Sequence, residues 1–115
     1  MAARVALRKG CAQALAPDVL SANVALASGV LVVVPDRRHV DKFTGMRAVM
    51  TAVRTAHTQW FICDSTSDTE EVAAWVHQLP ETSGSIRIVV TGPRGTRWID
   101  GEGVARRMVT AIAMT

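Results

Sequence analysis

Thr91-Gly92-Pro93-Arg94-Gly95-Thr96-Arg97 gathers hydroxyls, glycines and arginines into one short segment. These are the parts of an anion seat. Glycine lets backbone N–H groups approach a phosphate closely, and guanidinium groups grip it through two nitrogens. Thr91, Gly92, Arg94, Gly95 and Arg97 are therefore the candidate anion-binding residues. The spacing matches neither the Walker pattern nor the dinucleotide fingerprint, and Pro93 removes a donor.

A second chemistry needs carboxylates. Asp36 and Asp64 each follow an apolar run. At adjacent strand ends they would form the kind of pair that holds Mg²⁺ for phosphoryl transfer. Lys42 is the only lysine after Lys9, so the phosphate-neutralising cation would have to be an arginine. Cys63 and the histidines His39, His57 and His77 show no nucleophile–base spacing, and no Cys-x-x-Cys or His-x-x-x-His pair occurs. No catalytic residue, metal or cofactor is assigned, and the balance tilts away from an enzyme.

Nucleic-acid binding would draw on Arg37, Arg38, Arg94, Arg97, Arg106 and Arg107, with Trp98 to stack on a base. Asp36, Asp41, Asp64, Asp68, Glu70, Glu71, Asp100 and Glu102 are interleaved with them. The net charge is only +3, so a mixed field is expected and nucleic acid is not favoured.

The elements that must position these residues are legible as apolar runs. Val30–Val34, Trp60–Cys63 and Ile86–Val90 each precede polar residues and then helical periodicity, the mark of parallel strands buried on both faces and joined by helices. A helix is expected over 41–56 with Met46, Val49, Met50 and Val53 inward. A second, capped by Ser67 or Asp68, runs on Val72, Trp75, Val76 and Leu79 to Pro80, and a terminal one on Val104, Met108 and Ile112. Upstream, residues 1–16 read as an amphipathic helix rather than a targeting segment, stopped at Pro17. Leu20 to Leu26 alternate as a strand that turns at Ser28-Gly29 into a hairpin with Val30–Val34.

The expected fold is thus α/β. It is a single three-layer domain over 1–115 with a mixed, mainly parallel four-stranded sheet and the order α-β-β-α-β-α-β-α. Its 115 residues suit one core. The longest charge-free stretch, 19–35, falls short of the roughly 20 apolar residues of a membrane helix. Two cysteines give no disulfide framework, which fits a reducing, cytoplasmic setting.

The succession of hairpin, apolar strand, helix, strand ending in Asp64-Ser65, helix, strand ending in Gly92 and helix resembles the STAS domain family, small α/β modules that include anti-sigma-factor antagonists. The resemblance covers about residues 18–115. It implies that Ser65 is a phosphorylation point and that the surface around it docks a protein. On that surface Asp64, Ser65, Thr66, Ser67, Arg94, Arg97 and Trp98 are the candidate partner-binding residues, Trp98 being the loop tryptophan least easily given to the core. The leading expectation is a nonenzymatic regulatory or adaptor module that binds a protein, or itself as a homodimer, with no membrane role. The alternatives are a phosphate-, nucleotide- or nucleic-acid-binding domain using Arg94 and Arg97, and an Mg²⁺-dependent enzyme using Asp36 and Asp64.

Overall fold

The computed structural model describes residues 3–7, 17–64, 69–81, 86–93 and 98–113. Four strands, β1 (Ala3–Leu7), β2 (Gly29–Val33), β3 (Gln59–Cys63) and β4 (Ile86–Thr91), form one sheet in the order β1-β4-β2-β3, and every pairing is parallel. Helices α1 (Pro17–Ala25), α2 (Thr44–Ala56), α3 (Thr69–His77) and α4 (Gly101–Ala113) alternate with them, and a 3-10 turn (Arg37–Lys42) precedes α2. The protein is an α/β fold.

Strand order dictates which face each helix covers. A right-handed crossover from β1 to β2, continued from β2 to β3, places α1 and α2 on one face; the reversal from β3 to β4 sends α3 to the other. Two packed clusters follow. Val30, Val32, Val34 and Val89 meet Val24 of α1 and Met46, Val49, Met50 and Val53 of α2. Leu31, Val33, Cys63, Ile86, Ile88 and Val90 meet Val72 and Val76 of α3 and Ala105, Met108 and Ile112 of α4. Alternation along β2 thus feeds both layers, and every residue of the strand is buried.

The first two elements correct the sequence expectation. The helix placed over 1–16 gives way to strand β1 at 3–7, and the strand placed over 20–26 lies within helix α1 and the turn after it. A strand would bury Ala22, Val24 and Leu26 together. Instead Val24 is fully buried while Ala22 is exposed and Leu26 is 60% exposed, the pattern of one helical turn meeting the core. Pro17 opens this helix, where the first turn needs no N–H from it, and residues 8–16 of the expected helix lie outside the described residues. No hairpin forms, so the paired strands are all parallel rather than mixed.

Ser28-Gly29 is accordingly not a hairpin turn. The Ser28 N–H donates to the Arg87 carbonyl at 2.7 Å and its Oγ accepts from the Arg87 N–H at 3.1 Å, which starts the β2/β4 ladder. A Cβ at Gly29 would stand 2.8 Å from Trp75 Cζ2, so the glycine is what lets α3 lie this close. Helix α2 begins at Thr44 rather than 41 because Asp41 and Lys42 finish the 3-10 turn. Among the described residues no helix is long and apolar enough to cross a membrane.

Helix α2 ends on His57, whose φ of 55° is left-handed, a conformation that glycine adopts without steric cost. Exchanging His57 for glycine is expected to raise unfolding stability by about 0.5–1 kcal/mol in urea titration, the relief of left-handed strain less the added chain entropy. A loss of stability would show that His57 makes a compensating contact.

Candidate ligand-binding crevice

Central strand β2 has β3 on one side and β4 on the other, and its chain leaves toward α2 while that of β4 leaves toward α4. Segments that depart toward opposite faces leave a gap between them. This is the topological switch point at which open α/β sheets take ligands. In this strand order that position is outside the carboxyl ends of β2 and β4, where Val34-Pro35-Asp36 and Thr91-Gly92-Pro93 leave the sheet.

Local packing there is tight. Val32 is registered with Thr91, and a Cβ on Gly92 would collide with the Val33 carbonyl oxygen, so only glycine lets the two strand ends come this close. Alternation puts the Thr91 side chain on the α1/α2 face with Val89 and Val32. It is 2% exposed, and Oγ1 finds no hydrogen-bond partner among the described residues. An unsatisfied buried hydroxyl costs about 1–3 kcal/mol. Helix α2, which also starts at this edge of the sheet, has no side-chain cap at Phe43 and no acid in its first turn.

The two aspartates are at adjacent strand ends, as expected, but each is engaged by arginine. Asp36 caps the 3-10 turn by accepting from the Arg38 N–H at 3.0 Å, and takes the Arg38 guanidinium through Nε at 3.1 Å and Nη2 at 3.0 Å. His39 Nδ1 lies 3.5 Å away. The Arg38 side-chain bonds, then its N–H, lower the Asp36 carboxyl to about 2. Asp64 accepts from Arg37 Nη2 at 3.3 Å, which ties the segments after β2 and β3 together. Among the described residues no group of three or more His, Cys, Asp or Glu converges as a metal would need. The phosphoryl-transfer alternative therefore gains no ligand set from them.

Of the other candidates, Trp98 is half-buried, its ring over the start of α4: a Cβ at Gly101 would be 2.9 Å from Cε3. It serves the core more than the rim. Cys63 is buried. His57 and His77 end α2 and α3, at the edge of the sheet away from His39. Ser65, Thr66, Ser67, Arg94, Gly95 and Arg97 lie outside the described residues. Sequence reasoning missed two features: Ile99, 88% exposed on the same rim, and the pairing of Arg37 and Arg38 with the aspartates. The Asp36-x-Arg38 spacing of an Asx turn was the one available signal for the latter.

No protein-family model and no curated protein matches the chain. Among solved structures, the crystal structure of the "Putative molybdenum carrier protein" from Syntrophus aciditrophicus is similar, with TM-score 0.62 and 12% identity over 84% of this chain and 59% of that one. The chain thus spans about three-fifths of that protein's length. Likeness at this identity speaks to the fold alone, and it supports the α/β architecture.

Because the folded Asp36 carboxyl titrates at about 2, below its ordinary 3.8, its ion pair stabilises the fold above pH 4 and that contribution is lost as pH falls toward 2. Asp36→Asn is expected to flatten the acid limb of the stability curve over this window. An unchanged acid limb in thermal unfolding from pH 5 to 2 would contradict the assignment.

Proposed function

We propose that this chain is a nonenzymatic domain that binds a small phosphate-bearing ligand in the crevice outside the carboxyl ends of β2 and β4. The observation that carries this reading is Thr91, a buried hydroxyl without a described partner, at the strand end where the two segments part. The first turn of α2, uncapped by a side chain and free of acids, favours negative charge nearby. The engagement of Asp36 and Asp64 by arginines speaks for binding over Mg²⁺ chemistry. Arg94 and Arg97, the arginines that the sequence offered for such a ligand, follow Gly92 in the chain.

The test is Thr91→Val, which keeps the shape and removes the hydroxyl. It is expected to raise the stability of the ligand-free protein by about 1 kcal/mol, because an unsatisfied group is removed. The wild type is expected to gain thermal stability from phosphate, a nucleotide or molybdate, and Thr91→Val to lose that gain. Molybdate is included because of what the structural neighbour is described as carrying. If Thr91→Val destabilises the protein and leaves ligand stabilisation intact, the hydroxyl belongs to the core and the reading fails.

One observation favours protein docking at the same rim. Ile99 exposes 88% of its surface on the turn before α4, where Trp98 is half-buried, so Ile99 and not Trp98 would be the anchor. With a second copy of the chain as partner, Ile99→Ser is expected to shift sedimentation equilibrium toward monomer without altering circular dichroism. An unchanged mass distribution counts against self-association there.

A further inference from the structure

We propose that the outer edge of β3 pairs with the same edge of a second copy of this chain, antiparallel and two-fold about Phe61, so that two sheets become one. This edge lies across β2 from β4 and is independent of the ligand crevice. Among the described residues β3 pairs with β2 alone. Its residues, Gln59-Trp60-Phe61-Ile62-Cys63, include no charge and no proline. Those are the residues with which natural sheets guard an open edge, because its outward N–H and C=O groups template another strand. The opposite edge strand, β1, carries Arg4; β3 has no such guard.

The direction of the peptide groups fixes the register. The Val34 N–H donates to the Cys63 carbonyl at 2.9 Å, so Cys63 turns its peptide groups toward β2. Peptide groups alternate sides along a strand. Phe61 therefore also faces β2, while the N–H and C=O of Trp60 and Ile62 point off the sheet. In an antiparallel pair, opposite residues whose groups face each other exchange two hydrogen bonds. A two-fold axis at Phe61 sets Trp60 opposite Ile62 of the second copy and Ile62 opposite its Trp60, so the outward groups of both residues are used.

Side chains agree with that register. Trp60 and Ile62 are paired with Val30 and Val32, which belong to the α1/α2 layer, so both lie on that face. Trp60 is 44% exposed and Ile62 is half-buried. Across the axis each Trp60 ring would cover the Ile62 of the other copy, an aromatic and β-branched pair of the kind that stabilises neighbouring strands. A strand of another protein would need this same spacing of apolar side chains; a second copy has it by symmetry. Two five-residue edges make a contact at the small end of protein interfaces, so the dimer is transient, with a Kd of about 10–100 μM.

Sedimentation equilibrium and amide hydrogen exchange are followed over protein concentration in the Ile99→Ser protein, where any association through the rim is weakened. Dimer is expected. With rising concentration the Trp60 and Ile62 amides should become about tenfold more protected, while those of Phe61 and Cys63, already turned to β2, stay unchanged. Trp60→Pro in the same background removes a donor that β2 does not use, so it should keep the far-ultraviolet circular dichroism and weaken association about tenfold. The exchange measurement needs no change in β3, so it decides even where the proline variant fails to fold. A monomer at every concentration would overturn the pairing and leave the edge to a strand of another protein. A dimer in which the Trp60 and Ile62 amides gain no protection, or full association of a folded Trp60→Pro, would overturn it as well.

Discussion

Strand β2 is hydrogen-bonded on both edges and covered on both faces, so the rest of the sheet takes its places from it. The side chains Val30 to Val34 are at most 1% exposed. Burying each such side chain is worth about 1.5–3 kcal/mol, and the run contributes on the order of 10 kcal/mol. That is the scale of the whole net stability of a domain. Gly29 at its start admits Trp75 and Leu79 of the far layer, and the Val33 carbonyl at its end meets Gly92.

The rim works on a smaller energy scale. Its ion pairs are exposed and screened by water, so they shape the loops without deciding the fold. Asp36 and Arg38 close a turn locally, while Arg37 and Asp64 join loops that only the β2/β3 pairing brings together. The buried Thr91 hydroxyl is a different kind of feature. It has a stability cost and no structural return among the described residues, a combination that points to a role outside folding.

Legibility in the sequence followed burial. The apolar runs Val30–Val34, Gln59–Cys63 and Ile86–Val90 mark the strands Gly29–Val33, Gln59–Cys63 and Ile86–Thr91 to within one residue, and the Met46, Val49, Met50, Val53 stripe is the inner face of α2. Two-faced burial leaves no room for polar residues, so these strands announce themselves. At the N-terminus the signals were ambiguous. Leu20 to Leu26 alternates with a period of two and carries little helical periodicity of its own, and Pro17 can close one helix or open another. Strand β1 is five residues long and pairs with β4, whose sequence lies some eighty positions away. Its identity as a strand comes from that pairing rather than from its own pattern.

Taken alone, the chain determined its class, its parallel central strands and the arrival of Asp36, Asp64 and Thr91 at one edge, because hydrophobic periodicity and right-handed crossovers are local or general constraints. Tertiary structure decided the strand order, and with it the switch point between β2 and β4. It also decided that the Thr91 hydroxyl is buried, that Gly92 must stay glycine against Val33, and that Arg37 rests on Asp64. Each of these joins residues distant in sequence, and such contacts leave no periodic trace in the chain.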